Sequence, residues 1–126
     1  MTEPNGFLSS RDHGDCKAEL ALRVIQGRWK LLILRELLEG VQRFSQLQRA
    51  LASVGSGVSQ KVLTAQLREL EGDGVVQRTV HAEVPPRVEY ALTPRGRELV
   101  PLLDQLHHWG QSEDQPPPSG STPVEP

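Results

Sequence analysis

The chain has 126 residues, a single cysteine and a formal net charge of −2, with 14 Lys and Arg against 16 Asp and Glu. That length suits one domain of ~100–150 residues, one cysteine excludes an internal disulfide and fits a reducing compartment, and no apolar run approaches the ~18 residues of a membrane span. The first residues lack the apolar centre of a secretion signal, so the sequence predicts a soluble cytoplasmic protein with no membrane partner.

Residues 1–15 are polar and carry no apolar period, and 111–126 contain five prolines and almost no apolar side chains. Both ends are predicted to be disordered, since they bury too little apolar surface to offset the entropy of ordering. The folded unit is predicted over 16–110. Within it 13 Lys and Arg stand against 10 Asp and Glu, an excess of three positive charges. The acidic excess of the whole chain therefore lies in its ends, and the centre is mildly basic.

Residues 18–25 read as a first helix, stopped at Gly27. A second, strongly apolar helix follows over 29–38, ended by Gly40, with Trp29, Leu32, Ile33 and Leu37 as its inner positions. Arg43 and Phe44 suggest a short strand. Ser45 is placed to cap a third helix, with Gln48 three residues on as the other half of a capping box. Leu47, Ala50 and Leu51 are expected on its buried face. Residues 52–57 form a turn with two glycines, and Ser59 caps a fourth helix that runs to Gly72 or Gly74. Residues 75–81 and 88–92 are rich in β-formers and predict a hairpin around 82–87. Thr93 followed by Pro94 is a favoured helix start, and a last helix over 94–110 carries Leu99, Leu102, Leu103, Leu106 and Trp109 as one apolar stripe. The predicted fold class is mainly α with a small β-hairpin (α+β), a winged helix-turn-helix.

At 100° per residue, Leu63, Leu67 and Leu70 of the fourth helix point to one side, the core. The other side presents Gln60, Lys61, Thr64, Ala65 and Arg68. Gln and Arg can pair with purine edges, Thr and Ala methyls can meet a thymine methyl, and N–H groups at the Ser59 end suit a phosphate. Alone, such a face is also an ordinary solvated one; the helix before it and the hairpin after it favour double-stranded DNA as the partner. The 82–87 loop, stiffened by Pro85 and Pro86, is the candidate wing, with Arg87, Arg78 and His81 as its cations and Glu83 expected to turn away from phosphate. The same loop also reads as plain surface.

The stripe on the last helix exceeds what a small core needs. It predicts a second copy of the chain as partner, although full burial within one chain is the alternative. Cys16 stands at the predicted start of the first helix, where the dipole favours a thiolate. It reads as an oxidant- or electrophile-sensing thiol or as an incidental cysteine. His107 and His108 point about 100° apart on a helix, so no metal site is expected. No nucleophile–base set, paired carboxylates or phosphate loop suggests catalysis, and Gly55 and Gly57 lack the strand and third glycine of a nucleotide site. No cofactor and no enzyme activity are expected.

Several segments stand out together: Cys16; Gly27-Arg28-Trp29-Lys30 with Ile33-Leu34 after it; Arg43-Phe44-Ser45-Gln46-Leu47; Val58-Ser59-Gln60-Lys61-Val62-Leu63-Thr64; Leu67-Arg68-Glu69-Leu70-Glu71; Asp73-Gly74-Val75-Val76 with Arg78; Pro85-Pro86-Arg87-Val88-Glu89-Tyr90; Leu92-Thr93-Pro94 with Gly96; and Trp109. In these the chain resembles HxlR-type transcriptional regulators, bacterial relatives of the MarR winged-helix proteins. The resemblance implies a homodimeric, sequence-specific DNA-binding regulator acting on an inverted repeat. Its dimer would be built from the first and last helices, which brings Leu20 and Val24 to the face of Leu99, Leu102, Leu103, Leu106 and Trp109. The helix from Ser59 would enter the major groove, and 82–87 would be the wing. Some members sense oxidants or electrophiles through a cysteine at the position of Cys16, but Lys17 stands where they often carry proline. The 52–57 turn is also longer than the short Pro-Gly link usual in the family. The other readings are a winged helix used for protein contacts and a sensor of small ligands at the dimer interface.

Overall fold

The computed structural model describes residues 17–111. The expectations for 1–15, for Cys16 and for 112–126 lie outside the described residues. In chain order the elements are α1 (Lys17–Ile25), α2 (Arg28–Leu37), β1 (Gln42–Arg43), α3 (Phe44–Ala50), α4 (Gln60–Gly72), β2 (Val76–His81), β3 (Arg87–Leu92), α5 (Pro94–Arg97) and α6 (Val100–Gln111).

The apolar periods close one core. Ile33, Leu34 and Leu37 of α2, Leu47 of α3 and Leu63, Leu67 and Leu70 of α4 are all buried, joined by Leu51, Val58, Val75, Val76, Tyr90 and Leu92. Burying such side chains stabilises by roughly 1.5–3 kcal/mol each, which fixes which face of α4 is turned inward. The sheet has the order β1–β3–β2 and is antiparallel throughout. Central β3 takes Gln42 opposite Tyr90 on one side and Arg78 opposite Tyr90 on the other. α4 turns into β2 through Gly74 at φ 78, a left-handed conformation that glycine adopts without steric cost.

Three local expectations are corrected. The third helix starts at Phe44, and its cap is Arg43 rather than Ser45, because Arg43 is already held extended by pairing with Glu89 in the sheet. Gln46 then supplies the reciprocal bond, its Oε1 accepting from the Arg43 N–H at 2.7 Å. Ala50 is exposed and Leu51 carries the burial instead. The last helix is two helices. Glu98 still bonds back to Pro94, but Leu99 bonds to Gly96 in a tighter turn and Pro101 has no N–H to reach the Arg97 carbonyl, so α5 ends and α6 restarts with Pro101 in its first turn, where proline is tolerated.

The apolar stripe is divided by helix face, with Leu102 and Leu103 of α6 on different sides. Leu99 and Leu103 pack against the core, while Leu102, Leu106 and Trp109 are exposed. Val24, expected at the dimer face, is 7 % exposed and belongs to the core. On α1 it is Leu20 and Leu22 that remain at the surface. Among the described residues no helix is long and apolar enough to cross a membrane.

Candidate nucleic-acid interface

α4 is presented outward by the elements around it. Its N-terminus is set by Ser59, whose Oγ accepts from the Val62 N–H at 3.1 Å. The turn before it is tied down by buried Leu51 and Val58, and by Gln48 Nε2 donating to the Val58 carbonyl at 3.3 Å. The longer 52–57 turn therefore still delivers α4 in a fixed position. With three leucines inward, Gln60, Lys61, Thr64, Ala65, Arg68 and Glu69 line one shallow open groove. Lys61 and Arg68 are exposed and form no ion pair among the described residues. Their charges are free to meet an anion.

The hairpin behaves differently. Arg78 is half-exposed and reaches Glu71 of α4 at 3.7 Å, which links β2 to the end of the helix. Arg87, expected as the wing cation, is half-buried and held between two carboxylates. Its Nη2 lies 3.2 Å from Glu83 Oε2 and its Nε 3.4 Å from Glu89 Oε2. Glu83, expected to turn away, is therefore engaged by Arg87. Glu89 also accepts from His81 Nε2 at 2.8 Å. That hydrogen bond, aided by the Arg87, His81 and Arg43 charges and opposed by burial, holds the Glu89 carboxyl below its ordinary value of 4.5. Burial pushes the Tyr90 phenol up. The tip of the loop is apolar: Val84, Pro85 and Pro86 are exposed, Val84 completely.

The structure thus brings Gln60, Lys61, Thr64, Ala65 and Arg68 together on one surface, with Ser59 at its head. It places Arg78 and Arg87 in ion pairs nearby. The residue the sequence reading missed is Glu69, on the rim of the same groove and bonded to Lys30 of α2. The available signal was Lys30 itself, a charge among the inward positions of an apolar helix. Elsewhere, α2 and α6 border a cleft of about 540 Å³ whose walls include Leu31, Leu38 and Leu106 with Arg35, Asp104 and His107. Among the described residues no group of three or more His, Cys, Asp or Glu is placed to hold a metal ion.

A helix, a turn, a capped helix with a polar outward face and a two-stranded wing make a winged helix-turn-helix domain, the architecture of transcriptional regulators. The chain belongs to the HxlR-like helix-turn-helix family, whose model matches residues 24–117. It is 44 % identical over 107 residues to an uncharacterized HTH-type transcriptional regulator of Methanothermobacter thermautotrophicus, covering 82 % of this chain and 79 % of that one. Among solved structures it is similar to the redox regulator HypR in its reduced form, with 42 % identity, a TM-score of 0.72 and coverage of 79 % of this chain and 94 % of that one. Against HypR in its oxidized form the identity is 44 % and the TM-score 0.68, over 77 % of this chain and 96 % of that one. The protein is a transcriptional regulator of the helix-turn-helix type and not an enzyme.

Proposed function

We propose that this regulator binds duplex DNA as a homodimer, placing α4 in the major groove of each half of an inverted-repeat operator. The observation that carries the reading is the outward face of α4. There Gln60, Thr64 and Ala65 can meet base edges, while Lys61 and Arg68, in no ion pair among the described residues, are cations within reach of phosphates. Two copies joined through the exposed leucines of α1 and α6 supply two such helices, and half-sites about one helical turn apart follow from that symmetry. Arg78 and Arg87 contribute to the backbone contacts of the wing, Arg87 only after exchanging a carboxylate for a phosphate. Selection of bound sequences from a random duplex pool tests this: an inverted repeat is expected, and a pool with no enriched sequence overturns it.

The likeness to a redox regulator solved in two redox states, together with a single cysteine in this chain, favours oxidant control through Cys16. Diamide treatment is expected to change operator affinity in the native protein and leave Cys16→Ser unaffected. An equal response in both proteins removes Cys16 from the account.

A further inference from the structure

Lys30 is the buried charged residue among the described residues, its side chain 8 % exposed. Its Nζ lies 2.6 Å from Glu69 Oε1, and the Glu69 side chain is 56 % exposed on the rim of the groove that holds Lys61 and Arg68. The arrangement is asymmetric. A buried ammonium needs its counter-charge, so Lys30 cannot release Glu69 without being stranded. Glu69, half in water, has no such need. A bare carboxylate on a surface meant for phosphates repels them, and Glu69 is adjacent in sequence to Arg68.

Resting on the DNA-binding reading above, we propose that Lys30 is a positioning residue of the nucleic-acid interface. From beneath α4 it neutralises Glu69 and holds that carboxylate against the seam between α2 and α4. The groove face then keeps the positive character of Lys61 and Arg68. Lys30 touches no DNA in this arrangement and acts through Glu69 alone.

The test uses the full chain and a labelled 30-base-pair duplex of mixed sequence, whose binding is electrostatic and needs no operator. Fluorescence anisotropy gives Kd at several salt concentrations for the native protein, Lys30→Met, Lys30→Arg, Glu69→Gln and the Lys30→Met/Glu69→Gln double variant, and thermal unfolding is followed for each. Unmasking one charge near a phosphate is expected to weaken Lys30→Met by about threefold to tenfold at low salt. The double variant is expected to recover most of that loss, and Lys30→Arg to bind as the native protein does. Glu69→Gln alone is expected to bind about threefold tighter. A purely structural ion pair predicts the opposite sign for Glu69→Gln, which then binds more weakly as Lys30→Met does, and a double variant no better than either. Either that pattern, or Lys30→Met binding like the native protein, overturns the proposal. Where Lys30→Met does not fold, Glu69→Gln decides, since unchanged or weaker binding refutes charge masking. If the native protein binds no duplex at any salt, it is the DNA reading that fails.

Discussion

Gly96 offers a sharp test of how the winged domain is held together. It is buried in α5, where the chain passes directly over Val75 at the start of the hairpin. A methyl group at Gly96 lands on the Val75 carbonyl oxygen, with the Val75 carbonyl carbon at 3.1 Å and Leu92 Cδ2 at 3.3 Å. That oxygen accepts from the Thr93 N–H at 3.1 Å, and Thr93 Oγ1 both donates to the Gly74 carbonyl at 2.6 Å and accepts from the Gly96 N–H at 3.0 Å. Backbone, not a flexible side chain, must therefore move. Overpacking of this kind costs about 1–3 kcal/mol, and loosening the Thr93 bond adds about 0.5–1.5 kcal/mol. Alanine's helix preference over glycine returns about 0.5–1 kcal/mol. Gly96→Ala is thus expected to destabilise by about 0.5–4 kcal/mol, with a middle value of about 2 kcal/mol that lowers Tm by about 8–16 °C for a domain of this size. Gly72→Ala is the control, because a methyl group there meets nothing within 4 Å at the end of α4. It is expected to be neutral or to stabilise by up to ~1 kcal/mol. Urea unfolding of both variants measures the pair. A midpoint for Gly96→Ala equal to or above that of the native protein refutes the packing argument.

Arg68→Ala should leave Tm unchanged and weaken operator binding by ~1–3 kcal/mol, with relaxed preference at one base position if it reads a base; unchanged affinity takes Arg68 out of the interface. Replacing exposed Leu102 and Leu106 together by glutamate should leave a folded monomer in analytical ultracentrifugation and lower operator affinity by roughly 100-fold or more as the paired half-sites are lost; a persistent dimer moves the interface elsewhere. The lowered Glu89 carboxyl contributes stability that is present above the ordinary value of 4.5 and is lost as pH falls through its depressed folded value. His81→Ala removes the largest cause of that depression, so the Glu89 titration followed by carboxyl-carbon NMR should move up, and an unmoved titration contradicts the His81 hydrogen bond.

Helix periods made most of the fold legible. Three leucines spaced on one face of α4 fixed its orientation, and the Ser59 cap fixed its start, because both signals are local and strong. Two of the expectations that failed depend on a partner distant in sequence. Arg43 caps α3 only because β3 holds it extended, and Val24 is buried only because α1 folds back over the core. Pro101 was a local signal that the long leucine stripe obscured. The outward face of α4 was readable as a surface, since exposure follows from where the leucines point. The engagement of Arg87 by Glu83 was not readable because it depends on the path of the loop between them, and that of Glu69 by Lys30 because it depends on the meeting of α2 with α4, whereas Arg87 and Glu89, two apart on one strand, share a face that the sequence does offer. Sequence shows which charges exist; the fold decides which of them are already neutralised.

The central claim is that α4 of a paired regulator reads duplex DNA. A mobility-shift titration on the DNA upstream of the protein's own gene, over a range of salt concentrations and with Lys61→Ala/Arg68→Ala in parallel, tests it most directly. The account predicts a specific complex that weakens steeply with salt, and a double variant that folds but loses that complex. A native protein that forms no specific complex there or on neighbouring intergenic DNA, or a double variant that binds as tightly as the native chain, contradicts it.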